Sequence, residues 1–305
     1  MIELLQYDFM QRAFAAALLV GLAAPMIGTF LVQRRLALLG DGIGHVALTG
    51  VALGFLTGTS PVLTALLVSA VGAVLIEVVR ARARTSGDIA LALLFYGGIA
   101  GGVLLIGIAP GQGSATLTAY LFGSVSSVSQ QDVYVISGLA LVVLAVVGYF
   151  GRELFVLCQD EDVARAHGLP VRLLSVVIAV TAALTVVIAM RVVGVLLVSA
   201  LMVVPVAAAQ QLSRSFRATM AVAVAIGMLS AVGGLAGAYY TGVAFGTDVA
   251  PGGAIVLLAI AVFGVAVLAG YLVRGRTRRP HASRHRGTDV TVGTEPQTDR
   301  GKVST

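Results

Sequence analysis

Nine apolar runs separated by short polar breaks occupy the first 273 positions, near 12–33, 40–57, 61–79, 89–108, 132–150, 172–190, 192–210, 218–240 and 252–273. Each approaches the about 20 residues that a helix needs to cross ~30 Å of hydrocarbon. Unpaired backbone groups are not tolerated facing lipid, so the runs are expected as closed helices. The pattern predicts an all-α, polytopic helical membrane protein with about nine transmembrane helices. Gly97-Gly98 and Gly101-Gly102 in the fourth run, and Gly233-Gly234 with Gly237 in the eighth, read as seams where helices approach closely. Glu3 and Asp8 precede Arg12 and no basic stretch leads the first run, so it is expected as a retained span rather than a cleaved signal. Residues 2–11 fit a short interfacial helix.

The polar breaks carry an orientation signal. Arg34 and Arg35, then Arg80, Arg82 and Arg84, then Arg152, Arg165 and Arg172, then Arg214 and Arg217 occupy alternate loops, and Arg274, Arg276, Arg278 and Arg279 follow the last run. The intervening loops near 58–60, 109–131 and 241–251 contain no Lys or Arg, while Arg191, at an expected tight turn between two runs, breaks the pattern. Basic loops stay cytoplasmic, so nine spans put the N-terminus outside and the C-terminus in the cytoplasm. The division is then a transmembrane domain over 1–273 and a disordered, basic cytoplasmic tail over 274–305. His281 and His285 in that tail have the spacing of a weak metal pair, but a solvated basic tail near anionic lipid is the simpler reading.

Composition agrees with the pattern: 58% of the 305 residues are hydrophobic and 11% charged, against about 25% charged in soluble domains. The net charge of +6 resides mostly in loops and tail, without an aromatic-interleaved basic patch, so no nucleic-acid partner is expected. A single cysteine, Cys158, excludes an internal disulfide or a Cys-x-x-Cys metal site.

Asp41 and His45 are the only ionisable side chains between Leu36 and Ile76. A charge in hydrocarbon costs about 2.5–3.5 kcal/mol even on lenient scales, so such residues usually have a function. If the chain is helical from Arg35, His45 lies about 15 Å further along the axis, near the bilayer midplane, with Asp41 one turn away on the same face. A carboxylate and an imidazole form a partial ligand set for Zn²⁺, Mn²⁺ or Fe²⁺. In the structural alternative, Asp41 caps the helix and His45 bonds a backbone carbonyl. Other charges are plainer. Glu77 and Arg80 read as a surface pair, Asp88 and Asp132 as helix-start carboxylates, and Asp248 as a solvated loop carboxylate. Pro205 is placed to kink its span.

The stretch Gln33-Arg34-Arg35-Leu-Ala-Leu-Leu-Gly-Asp41-Gly-Ile-Gly-His45, followed by Gly50-Val-Ala-Leu-Gly54, resembles the signature of the zinc/manganese/iron-type ABC importer permeases. The likeness continues through Ser86-Gly-Asp88, Tyr120-Leu-Phe-Gly123, Ala164-Arg-Ala-His-Gly168-Leu-Pro170, the segment from Val193 through Pro205, Tyr239-Tyr240 and Pro251-Gly252. It covers roughly residues 8–273. Gly42 and Gly44 stand where the family often has Ala and Ser. The resemblance implies a fold similar to the type II ABC importer permeases, in a bacterial plasma (inner) membrane. It implies that a divalent transition metal, zinc first with manganese or iron as alternatives, passes through a central path by way of Asp41 and His45. No tightly bound cofactor is implied, and the chain is not expected to be an enzyme. The implied partners are a separate P-loop ATPase, an extracytoplasmic metal-binding lipoprotein and a second permease copy.

Residues 159–170 lie between the fifth and sixth runs. Their acidic start, small residues and Gly168-Leu-Pro170 ending predict a short helix. The segment resembles the coupling turn of such permeases, so Glu161, Ala164, Gly168 and Pro170 are expected to meet the ATPase. His167 stands where the family is usually apolar. No Gly-x-x-x-x-Gly-Lys-[Ser/Thr] occurs, so the ATPase must be a separate chain. A gradient-driven metal/proton carrier is the alternative. An intramembrane protease is a weaker one, since His45 is the only histidine within the runs and no Gly-x-Ser-x-Gly elbow is present there.

Overall fold

Each apolar run becomes a helix that ends where the local chemistry can turn the backbone. The computed structural model describes residues 8–82, 87–108, 120, 121, 123, 128–246 and 250–277. Ten helices have described bounds: α1 (Asp8–Gln33), α2 (Leu39–Thr57), α3 (Pro61–Arg82), α4 (Gly87–Ile108), α5 (Gln130–Gln159), α6 (Glu161–Ala166), α7 (Val171–Val193), α8 (Val195–Leu212), α9 (Phe216–Phe245) and α10 (Pro251–Thr277). No strand occurs among the described residues.

Among the described residues, eight of these helices are long and apolar enough to cross a membrane, and the apolar part of α8, Leu197–Leu212, is shorter. Together they account for the nine runs. The turn expected at Arg191 lies elsewhere. Helix α7 runs on to Val193, and Gly194, at φ +91°, is the single residue between α7 and α8. Arg191 is therefore within a helix, and the break falls where a residue without Cβ can take a positive φ. Helix α10 extends to Thr277, past the boundary expected at 273. His281, His285 and Asp248 lie outside the described residues.

Ends elsewhere follow ordinary capping. Ser129 and Asp132 form a reciprocal capping box at the start of α5. Ser215 caps α9 by accepting from the Ala218 amide at 3.3 Å. Gly58 and Gly246 close α2 and α9 in the left-handed region. Helices α5 and α9 have 30 residues each, about 45 Å at 1.5 Å per residue, so each reaches well beyond ~30 Å of hydrocarbon.

The interior is built on α1, α2, α7 and α8. Within the apolar windows of α1 and α2, 72% of residues are buried, against 22% for α4, α5 and α10, whose apolar side chains face outward as lipid-facing helices do. Helix α1 packs on α5, α7, α8 and α9; helix α2 packs on α3, α4, α7 and α8. The closest approaches occur at glycines. A methyl group on Gly28 would collide with the Met202 carbonyl of α8, and one on Gly50 would lie 2.5 Å from the Ala65 Cα of α3. Gly98, Gly101 and Gly102 face α2 and Gly234 faces Ile255, as a packing seam requires, whereas Gly97 and Gly237 face open space.

Close backbone approach makes a concrete expectation. Gly28→Ala should lower the thermal unfolding midpoint of the detergent-purified protein, with an overpacking cost of about 1–3 kcal/mol. Gly97→Ala, where nothing lies within 4 Å, should leave the midpoint unchanged or slightly higher. Equal midpoints followed by circular dichroism would show that the α1–α8 contact is not as tight as described.

Candidate functional site

Helix α2 begins at Leu39, later than a helix running from Arg35. Arg35 has φ +60°, and the Leu36 amide bonds back to the Leu31 carbonyl at 2.8 Å, which closes α1 and turns the chain. Asp41 therefore lies in the first turn of α2 and His45 one turn further. His45 is about 9 Å along the axis from Leu39, and the continuous helix from Arg35 on which the distance of about 15 Å rested is not formed.

Asp41 and His45 do share a face. Asp41 Oδ1 lies 4.0 Å from His45 Nε2. That is too long for a hydrogen bond; tetrahedral ligands on bonds of about 2.0–2.1 Å lie about 3.3 Å apart, so the two side chains would have to close by well under about 1 Å to share an ion. The imidazole is buried at 7% exposure, and its Nδ1 has no hydrogen-bond partner. It does not bond a carbonyl as the structural alternative requires. Nor does Asp41 cap α2: the N-cap is Leu38, which makes no side-chain bond. The carboxylate instead accepts a hydrogen bond from Ser199 of α8 at 3.3 Å and keeps 26% exposure. Its place in the first turn also gives it the favourable end of the helix dipole.

Neighbouring helices fix the imidazole. Phe95 of α4 meets its ring edge-on at a centroid distance of 4.6 Å. Gly98 of α4 is so close that a Cβ there would lie 2.7 Å from the Val46 amide nitrogen and 2.8 Å from the His45 carbonyl carbon. Thr49 ties the same two helices by donating to the Gly98 carbonyl at 2.7 Å. On the other side, Gly44 admits Val195 and Gly40 admits Ser199 and Met202. Among the described residues no third His, Cys, Asp or Glu joins the pair. Ser199 and Phe95 were not singled out by sequence reasoning. Ser199 lies within the Val193–Pro205 motif, which carried that signal unread.

The 159–170 segment forms the expected short helix. Asp160 caps α6 by accepting from the amides of Asp162 at 2.7 Å and Val163 at 3.3 Å. Ala164 is fully buried, Gly168 has φ +76°, and the Leu169 amide returns to the Ala164 carbonyl at 3.1 Å, leaving Pro170 to lead into α7. His167 now has a structural account: its Nδ1 donates to the Val163 carbonyl at 2.8 Å and closes the last turn. Glu161 points back toward the spans and bonds Arg34 and Arg80. Glu77, which joins Arg80 at 3.1 Å, is 7% exposed and Arg80 is half-buried, so this is not a surface pair.

The model of the ABC 3 transport family matches residues 6–270. The chain belongs to that family. It is similar to the manganese transport system membrane protein MntC of Halalkalibacterium halodurans, 34% identical over 87% of this chain and 88% of that protein. It is also similar to the solved structure of PsaBC from Streptococcus pneumoniae in complex with Fab, with 30% identity and a TM-score of 0.75 over 86% of this chain and 92% of that one. A metal-chelate type ABC transporter in an inward-facing conformation superposes with a TM-score of 0.70 over 85% of this chain and 86% of that one; at 15% identity this shows the fold alone. As an ABC-transporter permease the chain is a multi-pass membrane subunit and not an enzyme; ATP hydrolysis belongs to a separate subunit.

Proposed function

We propose that this permease moves a divalent transition metal inward across the plasma membrane, with Asp41 and His45 as its transient ligands. The observation that carries the reading is the pair itself: a carboxylate 4.0 Å from Nε2 of a buried imidazole, whose other nitrogen, Nδ1, is buried without a hydrogen-bond partner. Buried polar atoms are nearly always bonded, and such an exception calls for a functional explanation. Two protein ligands suit an ion that must enter and also leave, where a closed four-ligand cage would hold it. Only neutral imidazole binds metal, so the ion and a proton compete for His45.

Manganese is the ion we place first, ahead of zinc and iron. The donors gathered at the site are an oxygen-rich set, carboxylate and imidazole with the Ser199 hydroxyl adjacent, and contain no thiolate. Such ligands suit manganese, whereas zinc gains more from sulfur. The name carried by the Halalkalibacterium relative points the same way. We further propose that a P-loop ATPase docks on α6, where Glu161, Ala164, Gly168 and Pro170 shape the contact. A lipoprotein delivers the ion from outside, and a second copy of the chain completes the pathway. The arginine-bearing loops and the C-terminus then face the cytoplasm and the N-terminus the outside.

Reconstitution with the partner ATPase in liposomes tests this reading. Manganese uptake should require ATP, and Asp41→Ala or His45→Ala should reduce it to background while the protein still assembles. Uptake driven by a pH gradient without ATP would identify a carrier instead, and wild-type uptake by both variants would reject the ligand assignment. In the same assay Ser199→Ala should raise the manganese concentration for half-maximal uptake by about tenfold, because an unoriented carboxylate binds metal less well. Faster saturation by zinc than by manganese would overturn the choice of ion.

A further inference from the structure

Four charged side chains close into a ring on the side of the bundle where α6 lies. Glu161 Oε1 meets Arg34 Nη2 directly and Arg80 Nη2 at 3.1 Å. Arg80 Nε holds Glu77 Oε2 at 3.1 Å, and Glu77 Oε1 lies 3.8 Å from Arg34 Nη1. Signs alternate around the ring and its formal charge is zero. Arg34 and Glu77 are buried, at 3% and 7% side-chain exposure, whereas Glu161 is open at 39%. The ring's members come from three places: the turn after α1, the end of α3, and α6.

A buried charge that loses its partner is strongly destabilising, so the two buried members cannot simply let go of a moving neighbour. If α6 tilts or shifts, Glu161 must carry Arg34 and Arg80 with it, or Arg34 must fall back on Glu77. Arg34 Nη1 is buried and makes no hydrogen bond in the present arrangement, so a donor is free for that second position. Arg34 also begins the short, closed turn that leads to α2. Only six residues separate it from Asp41, and Arg35 holds that turn in its left-handed conformation. A displacement of the Arg34 guanidinium is thus applied to the base of the helix that carries Asp41 and His45.

We propose that the Arg34–Glu161–Arg80–Glu77 ring transmits movement of α6 to the helices that hold the metal, and that Arg34 and Arg80 are positioning residues for transport. The proposal rests on the reading of this chain as an ATP-driven metal permease and goes beyond it by naming the link. Glu161 acts inward, on two arginines of the spans, as well as on whatever docks from outside. Arg80 has no part in the docking helix, so its role separates transmission from docking.

The test uses the full permease with its ATPase in liposomes and manganese as the probe, reading manganese moved per ATP hydrolysed. Arg80→Gln should retain ATPase association and hydrolysis while this ratio falls by about fivefold or more, in the range of ordinary coupling free energies, and Glu161→Gln should lower the ratio at least as far. The double variant should be little worse than either single one, because both break the same ring. Arg80→Lys, which keeps the charge, should recover part of the ratio. A wild-type ratio in both glutamine variants overturns the proposal. So does loss of ATPase association or of folded protein in both, which would make the ring a scaffold only. Absence of ATP-driven uptake by the wild-type protein would overturn the transport reading, and the ring's role with it.

Discussion

An ionised group removed from water must find a partner, and this single constraint organises the polar half of the molecule. Inside the bundle the available partners are few, so each buried charge dictates which helices lie beside it. Arg34 and Glu77 bring together the turn after α1, the end of α3 and α6. Asp41 draws α8 to α2 through Ser199. The His45 imidazole is one exception among the described residues, and with Asp41 beside it that exception marks the site. The apolar remainder follows from burial and close packing, with small residues letting α1 and α2 sit deep among their neighbours.

The two polar centres are connected by a short path. Between Arg34 and His45 the chain makes one turn and just under two helical turns, with a left-handed residue at its start. The site is thus fixed at one end by ion pairs and on its flanks by α4, α7 and α8. Gly194 separates α7 from α8 next to this region: the Val195 side chain, first in α8, fills the space that Gly44 leaves. Coupled changes at the two centres need no long pathway through the protein, since the base of one helix belongs to both.

Much of this was readable from residue order. Apolar length alone placed the helices, because lipid permits little else. The Asp41–His45 pair stood out because ionisable groups are so rare in such runs, and Gly168-Leu-Pro170 marked the end of α6 through turn chemistry that is local. What failed was what depends on three dimensions. A turn placed at Arg191 by its charge belongs at Gly194, where the backbone requires a positive φ. The helix expected to run on from Arg35 is broken there, and nothing in Gln33–Leu38 announces that Arg35 would leave it. Glu77 and Arg80 look like an i,i+3 surface pair in one dimension; only the arrival of Arg34 and Glu161, distant in sequence, buries Glu77 and half-buries Arg80. Ser199 stood within a recognised motif, but its bond to Asp41, distant in sequence, exists only in the fold.

Gly98 has no side chain, yet its α-carbon lies against the backbone that carries the imidazole. In a library of random variants, this position should therefore tolerate change as poorly as Asp41 and His45 themselves, although it has no side chain. The shape of the Asp41–His45 site is partly written in a missing atom. Redesigning its selectivity by exchanging ligands alone would leave untouched the wall that decides how wide it can open.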